Sequence, residues 1–383
     1  MEKLAVHGGE PVSEKRIPIA KPVFPEETLH EISKVLESGI LCQGSKTAQF
    51  EEEFKKKVGA KHAYAVSSGT AALHVAYMSV LKPGDEVIVP TFTFIATAST
   101  VVFSGGRPVF ADIDDETLTI DPDDVTEKIT RKTKAIAPVH LFGNAADMNA
   151  LAETAEDSNL YLVNDAAQAH GTRIDGRDVG SFDHINCYSF YPTKTMTTGE
   201  GGIVTTNDKE LYEKGRLIRN HGQESQYLHT TLGLNYRLTE IAAVIGLGQL
   251  KMFDEFLAKR RRNAKVLTDG IGRIPGLKPQ KTEKGADHSY SYYTAIMDLA
   301  KFKCSRDEFI KALRAENIDC MVYYPIPLTR QPALQKYARR SHCPVAEEAS
   351  GKVFSIPVHP SLTEEDLSKI VTALEKVSTY YSR

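Results

Sequence analysis

Seven short runs of apolar and β-branched residues recur between residues 62 and 206, and no other feature constrains the fold as much. They are HAYAV (62–66), EVIVP (86–90), PVFADI (108–113), AIAPVHL (135–141), LYLVNDA (160–166), INCYSF (185–190) and GGIVTT (201–206). Most are apolar throughout instead of alternating, the pattern of strands buried on both faces. Between many of them lie helical patterns, over 70–81, 95–103, 123–129 and 146–156. This alternation predicts an α/β fold: a large domain with a mainly parallel, seven-stranded sheet flanked by helices. Open sheets of this kind bind ligands beyond the carboxyl ends of their strands. Polar residues just past each run are therefore the first candidates for a site.

The rest of the chain reads differently. Residues 26–38 and 46–58 predict amphipathic helices ahead of the sheet, and 239–271 predicts a long helix leading out of it. Beyond that, strand-like SYSYYTAIM (289–297) mixes with helices near 305–315 and 363–377, which predicts a smaller C-terminal α+β domain. A chain of 383 residues has room for both. We place the division near residue 255, with an N-terminal segment and large domain over 1–255 and a small domain over 256–383. A net charge of −3 with no basic cluster favours neither nucleic acid nor an anionic membrane as partner. No stretch approaches 18 apolar residues, and MEKLAVHGGEPVSEKR lacks an apolar signal region. The five cysteines are scattered, with no CxxC pair, which fits a reducing compartment; the expected location is cytoplasmic.

Four polar sites fall just past the runs. SSGTAAL, from Ser67, follows HAYAV and opens a helix, so its backbone N–H groups can hold an anion, with Gly69 and Thr70 at the helix start. Ser67 or Ser68 can equally be a plain N-cap. In VNDAAQAHG the apolar run ends on Asp165, a costly place for a carboxylate unless a cation or donors meet it. A turn-capping aspartate is the ordinary alternative; Gln168 and His170 share its loop. In SFYPTKTMTTGEGG, Lys194 stands among small hydroxyl residues, five residues after Ser189. A solvated loop lysine is the ordinary reading. Phe94, in PTFTF after EVIVP, is either core or a flat wall for a planar ring. No GxGxxG, no GxxxxGK[ST], no HExxH and no GxSxG occurs, and no cysteine stands near a histidine in metal-ligand spacing.

Taken together, an anion site, a strand-end carboxylate, a lone lysine and an aromatic wall suit one planar, phosphorylated, cationic heterocycle. Pyridoxal 5′-phosphate (PLP) has those features: a phosphate for a helix start, a pyridine nitrogen for a carboxylate, and an aldehyde that forms a Schiff base with a lysine.

From about residue 17 to 374 the chain resembles the PLP-dependent sugar aminotransferases of the DegT/StrS type, within fold type I. The resemblance is carried by LCQGSKTAQFEEEF, VSSGTAALH, PTFTFIATAS, PVHLFGNAADM, VNDAAQAHG, SFYPTKTMTTGEGGIVTTND, LGLNYRLTEIAAVIG and SIPVHPSLTEED. It implies that Lys194 forms the aldimine with PLP and that Asp165 pairs with the pyridinium nitrogen. It further implies that Gln168 bonds the ring's phenolic oxygen, that Phe94 stacks on the ring, and that Gly69, Thr70 and Ser189 hold the phosphate. Asn235, in GLNYRL, would reach the cofactor of a partner subunit, so the expected assembly is a homodimer with shared sites. The implied reaction moves an amino group from glutamate or glutamine to a keto-sugar, expected to be nucleotide-linked, through pyridoxamine phosphate. A keto-cyclitol acceptor, a sugar dehydratase and an aminohydroxybenzoate synthase-like activity are the alternatives. Relatives that act as dehydratases have histidine at the lysine position, and this chain keeps Lys194. It departs from the family at Tyr191, where SFHPTK is common. The keto substrate is expected to depend on loop side chains such as Arg219, His221 and Arg237.

Overall fold

The computed structural model describes residues 3–339 and 341–383. Among these residues the central element is a seven-stranded sheet. Its strands are β1 (His62–Val66), β2 (Glu86–Pro90), β3 (Arg107–Ala111), β4 (Thr133–Ile136), β5 (Tyr161–Asp165), β6 (Ile185–Ser189) and β7 (Gly202–Thr206). They lie side by side in the order β1-β7-β6-β5-β4-β2-β3. β7 runs antiparallel to both of its neighbours, and every other pairing is parallel. The mainly parallel sheet expected from the apolar runs is thus present, and the carboxyl ends of β1, β2, β5 and β6 open on one edge.

The helices that flank it are α1 (Glu27–Ser38), α2 (Ser45–Val58), α3 (Gly69–Val80), α4 (Ala96–Phe103), α5 (Pro122–Glu127), α6 (Met148–Asp157), α7 (Lys209–Arg219) and α8 (Glu240–Ile271). Successive strand residues turn to opposite faces. Val87 and Val89 join the core under α3 and α4, while Ile88 between them joins the core under α2, α6 and α8. Burial on both faces is why the runs are apolar throughout.

One run is shorter than its sequence pattern. The apolar stretch 135–141 forms regular strand only to Ile136, because Pro138 has no N–H for the ladder. The chain still meets β5 beyond it: Asp165 N donates to Pro138 O at 2.8 Å, and Val139 bridges to Asp165.

Helix α8 ties the layers together. Its first residue, Glu240, accepts from the backbone N–H groups of Gly44, Lys46 and Thr47, at 2.9, 2.8 and 2.8 Å, and so anchors the start of α2. Its far end, with Ala264, Leu267 and Ile271, enters a second core. That core lies on a small antiparallel sheet of Leu277–Pro279, Tyr293–Met297 and Val353–Ile356, with the helices Arg306–Ala315 and Glu364–Tyr381. Leu4 and Ile17 pack into it too, and Ile17 bridges to Ile318. Residue 255 lies inside α8. No helix among the described residues is long and apolar enough to cross a membrane.

Candidate active site

Gly69, Thr70, Phe94, Asp165, Gln168, Ser189 and Lys194 line one cavity of about 560 Å³ at the carboxyl edge of the sheet. Each arrives there because a strand ends there. Asp165 is the last residue of β5 and Ser189 the last of β6; Gly69 and Thr70 begin the helix after β1, and Phe94 follows β2.

Asp165 is buried. Thr97 Oγ1 donates to its Oδ2 at 2.7 Å and Ala167 N to its Oδ1 at 3.2 Å. Burial pushes this carboxyl upward from its ordinary value, while those two bonds and the charge of Lys194 oppose the rise. No cation among the described residues forms an ion pair with it, although an unpaired buried carboxylate is costly.

Lys194 lies half-buried in the loop after β6. Its Nζ stands 3.5 Å from Tyr292 Oη and 5.4 Å from the centroid of that ring. Burial lowers its amine to about 8, with Asp165 and then Tyr191 pulling the other way. An amine with that value is substantially neutral near pH 8, as a nucleophile or a base must be. The cofactor-free protein is therefore expected to react with an acylating reagent at Lys194 with a midpoint near pH 8. Peptide mass spectrometry across a pH series measures this.

The start of α3 is packed hard against the sheet. Ser68 is its N-cap, its Oγ accepting from Ala71 N at 3.1 Å. A Cβ on Gly69 would come within 2.6 Å of Ser189 Cβ, and one on Gly202 within 2.3 Å of the Ser68 carbonyl oxygen. Glycine at 69 thus lets the helix start and Ser189 form one concave surface. Gly69→Ala is expected to displace that surface, cost about 1–3 kcal/mol by overpacking, and weaken phosphate-dependent binding. Thermal unfolding and PLP titration check both effects.

Gln168 is buried, its Oε1 accepting from Phe142 N at 2.6 Å and its Nε2 donating to Tyr324 Oη at 3.1 Å. Phe94 is 54% exposed, so it is a wall of the cavity and not a core residue. His170 is buried against Phe54, Tyr188 and Phe190, away from the cavity lining.

Asn235 is not brought to this cavity. It is exposed, bridged to Asn220, beside a segment whose Tyr227 and Leu232 are 84% and 86% exposed. Arg219 is not at the cavity either: it is buried, held by Glu51 and by the Ala65 carbonyl at 2.6 Å, which ties it to the fold. His221 and Arg237 also lie outside the lining, and Arg237 donates to Asn220 Oδ1 at 2.6 Å. Tyr191 lies in it, 48% exposed.

The sequence reading passed over Thr97, Tyr292, Tyr323 and Tyr324. Thr97 lay in a quoted motif, PTFTFIATAS, without a signal that set its hydroxyl apart. The three tyrosines come from the C-terminal part of the chain and complete the cavity wall.

This set of residues fits PLP on chemical grounds. The unpaired buried carboxylate of Asp165 suits a protonated ring nitrogen, and Gln168 Nε2 suits a ring oxygen. The helix start with Ser189 suits a phosphate, Phe94 suits a ring face, and Lys194 suits the aldehyde. Among the described residues no group of His, Cys, Asp and Glu could hold a metal ion.

A sequence model of the DegT/DnrJ/EryC1/StrS aminotransferase family matches residues 23–375. The chain is 35% identical to the GDP-perosamine synthase of Escherichia coli O157:H7, over 96% of this chain and 99% of the relative. It is 39% identical to a UDP-N-acetyl-3-dehydro-alpha-D-glucosamine 3-aminotransferase of Acidithiobacillus ferrooxidans, over 92% and 94%. The solved structure of S. venezuelae DesV with a ketimine intermediate superposes with a TM-score of 0.87 at 34% identity, covering 94% of this chain and 99% of that one.

Proposed function

The chain belongs to the DegT/DnrJ/EryC1/StrS aminotransferase family and is an aminotransferase of the sugar-modifying kind; from that premise we propose that it aminates a nucleotide-linked keto-sugar, with PLP as cofactor and glutamate or glutamine as donor. The observation that carries this reading is the cavity in which a half-buried amine lowered to about 8, Lys194, shares one edge of the sheet with the buried, unpaired carboxylate of Asp165. The two curated relatives described above are both named for nucleotide-linked sugars, which supports that class of acceptor.

When bound, PLP supplies an electron sink that accepts the pair released as the donor's Cα–H bond breaks. The protein does the rest. Asp165 would keep the ring nitrogen protonated, and Gly69, Thr70 and Ser189 would hold the phosphate. Phe94 would pack on the ring and Gln168 Nε2 would donate to the ring oxygen. Lys194 Nζ would take the Cα proton as general base and return it as general acid. With the keto-sugar the same residues act in the opposite order. Asn235 reaches the phosphate site of a second subunit, and the exposed Tyr227 and Leu232 beside it supply apolar surface for a homodimer. A cytoplasmic location suits such substrates.

The test is product analysis. With PLP, glutamate or glutamine, and a panel of nucleotide-linked 3-keto and 4-keto sugars and keto-cyclitols, the expected products are an amino sugar and the 2-oxo acid in equal amounts. Loss of a hydroxyl without amine formation would assign a dehydratase instead. Amination of the keto-cyclitols alone would move the acceptor class.

A further inference from the structure

The proposed function uses Asp165 only as an anion, yet the position of that buried carboxylate has a cause of its own. We propose that Thr97, backed by Thr93, is the positioning residue for Asp165: its hydroxyl holds one carboxylate oxygen, keeping the group ionised and turned to the cavity. This inference rests on the proposed function, in which Asp165 meets a protonated ring nitrogen.

Three side chains line up. Thr93 Oγ1 lies 3.1 Å from Thr97 Oγ1, and Thr97 Oγ1 lies 2.7 Å from Asp165 Oδ2. Their exposures are 3%, 0% and 5%, so water does not compete. A hydroxyl has one proton to give. A carboxylate can only accept, so the Thr97 proton points to Asp165. The Thr97 oxygen is then left as an acceptor, and the Thr93 proton points to it. The order Thr93 to Thr97 to Asp165 is thereby directed, and each bond polarises the next toward the anion.

Thr97 is unusual among its helix neighbours. Thr100, in the same helix, bonds back to the Ala96 carbonyl at 2.6 Å, the ordinary fate of a helical threonine. Thr97 gives its proton to a residue 68 positions away. Its backbone N–H donates to Phe94 O at 3.2 Å, so the same residue joins the aromatic wall to the carboxylate.

The other titratable groups facing Asp165 do not replace this bond. Lys194 comes from the loop after β6, Cys187 from β6, Tyr77 from α3 and Tyr324 from the C-terminal part. Burial pushes the thiol and both phenols well above their ordinary values, so they stay neutral. Lys194 titrates near 8. On the acid side, Asp165 is the group among these that changes charge.

The experiment is PLP binding to cofactor-free protein, followed by absorbance across a pH series, for wild type, Thr97→Val, Thr97→Ser and Thr93→Val. Thr97→Val keeps the shape and removes the donor. It is expected to raise the PLP dissociation constant about 10- to 100-fold, the scale of a hydrogen bond to a charged group. The pH at which binding is lost on acidification should also move upward. Thr97→Ser restores the donor and should recover most of the affinity. Thr93→Val should give a smaller loss, absent in the Thr97→Val background. Wild-type-like binding and pH dependence in Thr97→Val, or no recovery in Thr97→Ser, overturns this inference alone. If the wild-type protein binds no PLP, the proposed function falls and this inference with it.

Discussion

Lys194→Ala is expected to lower transamination turnover by at least about a thousandfold, since it removes both the covalent anchor and the general base. The fold should persist. Lys194 Nζ makes one hydrogen bond to a side chain, at 3.5 Å to Tyr292, and no ion pair among the described residues. Stability should not suffer from the lost charge either. The folded-state value is lowered from 10.5 to about 8, so the half-buried ammonium is a cost fully present below pH 8 and absent above 10.5. Without cofactor, the variant should therefore be at least as stable as wild type at pH 7, and the difference should shrink as pH rises through that window. Lys194→Met, which keeps most of the packing, should match it. Steady-state kinetics and thermal unfolding at pH 7 and pH 10 measure both parts. Turnover near the wild-type rate in either variant would remove Lys194 from the mechanism.

Asp165→Asn is expected to separate stability from function. An amide cannot hold a protonated ring nitrogen as a carboxylate does, and breaking such a buried pair costs about 3–5 kcal/mol, so PLP affinity and turnover should fall by about a hundredfold or more. In the cofactor-free protein the sign reverses. Burial raises the Asp165 carboxyl above its ordinary 3.8, so stability is lost as pH rises through the window between that value and the raised one. Above the raised value that cost is fully present. Asparagine removes it and can still accept from Thr97, although Ala167 N then loses a charged acceptor. The cofactor-free variant should melt no lower than wild type, and the increase in melting temperature that PLP gives the wild type by binding the native state should largely disappear. Destabilisation of the cofactor-free variant together with full PLP affinity would contradict this assignment.

The parts of the site that could be read in the sequence share one property: they sit where a regular pattern stops. Asp165 ends an apolar run, Gly69 and Thr70 open the next helix, and Phe94 and Lys194 follow their strands within a few residues. Local pattern and ligand position coincide there because a parallel sheet sends several strand ends to one edge. Tyr292, Tyr323 and Tyr324 have no such mark. Tyr292 meets Lys194 and Tyr324 meets Gln168 across about a hundred residues or more of chain, and it is packing against the core under α3 and α4 that brings all three tyrosines in. Thr97 was hidden differently, since a threonine in a helix looks the same whether it bonds its own backbone or a distant carboxylate. The reversed direction of β7 was also silent. Its residues are buried like those of the parallel strands, and its direction is set by how residues 190–201 bring the chain back beside β6. Pro138 was visible, and it explains why β4 stops early.

The proposed mechanism depends on the cofactor attaching at Lys194. Incubating the cofactor-free protein with PLP, reducing with borohydride, digesting and mapping by mass spectrometry tests it without any substrate. One dominant modified peptide is expected, carrying the reduced adduct on Lys194, with loss of that peptide in Lys194→Ala. A protein that takes up no PLP, or carries it mainly on another lysine, would contradict it.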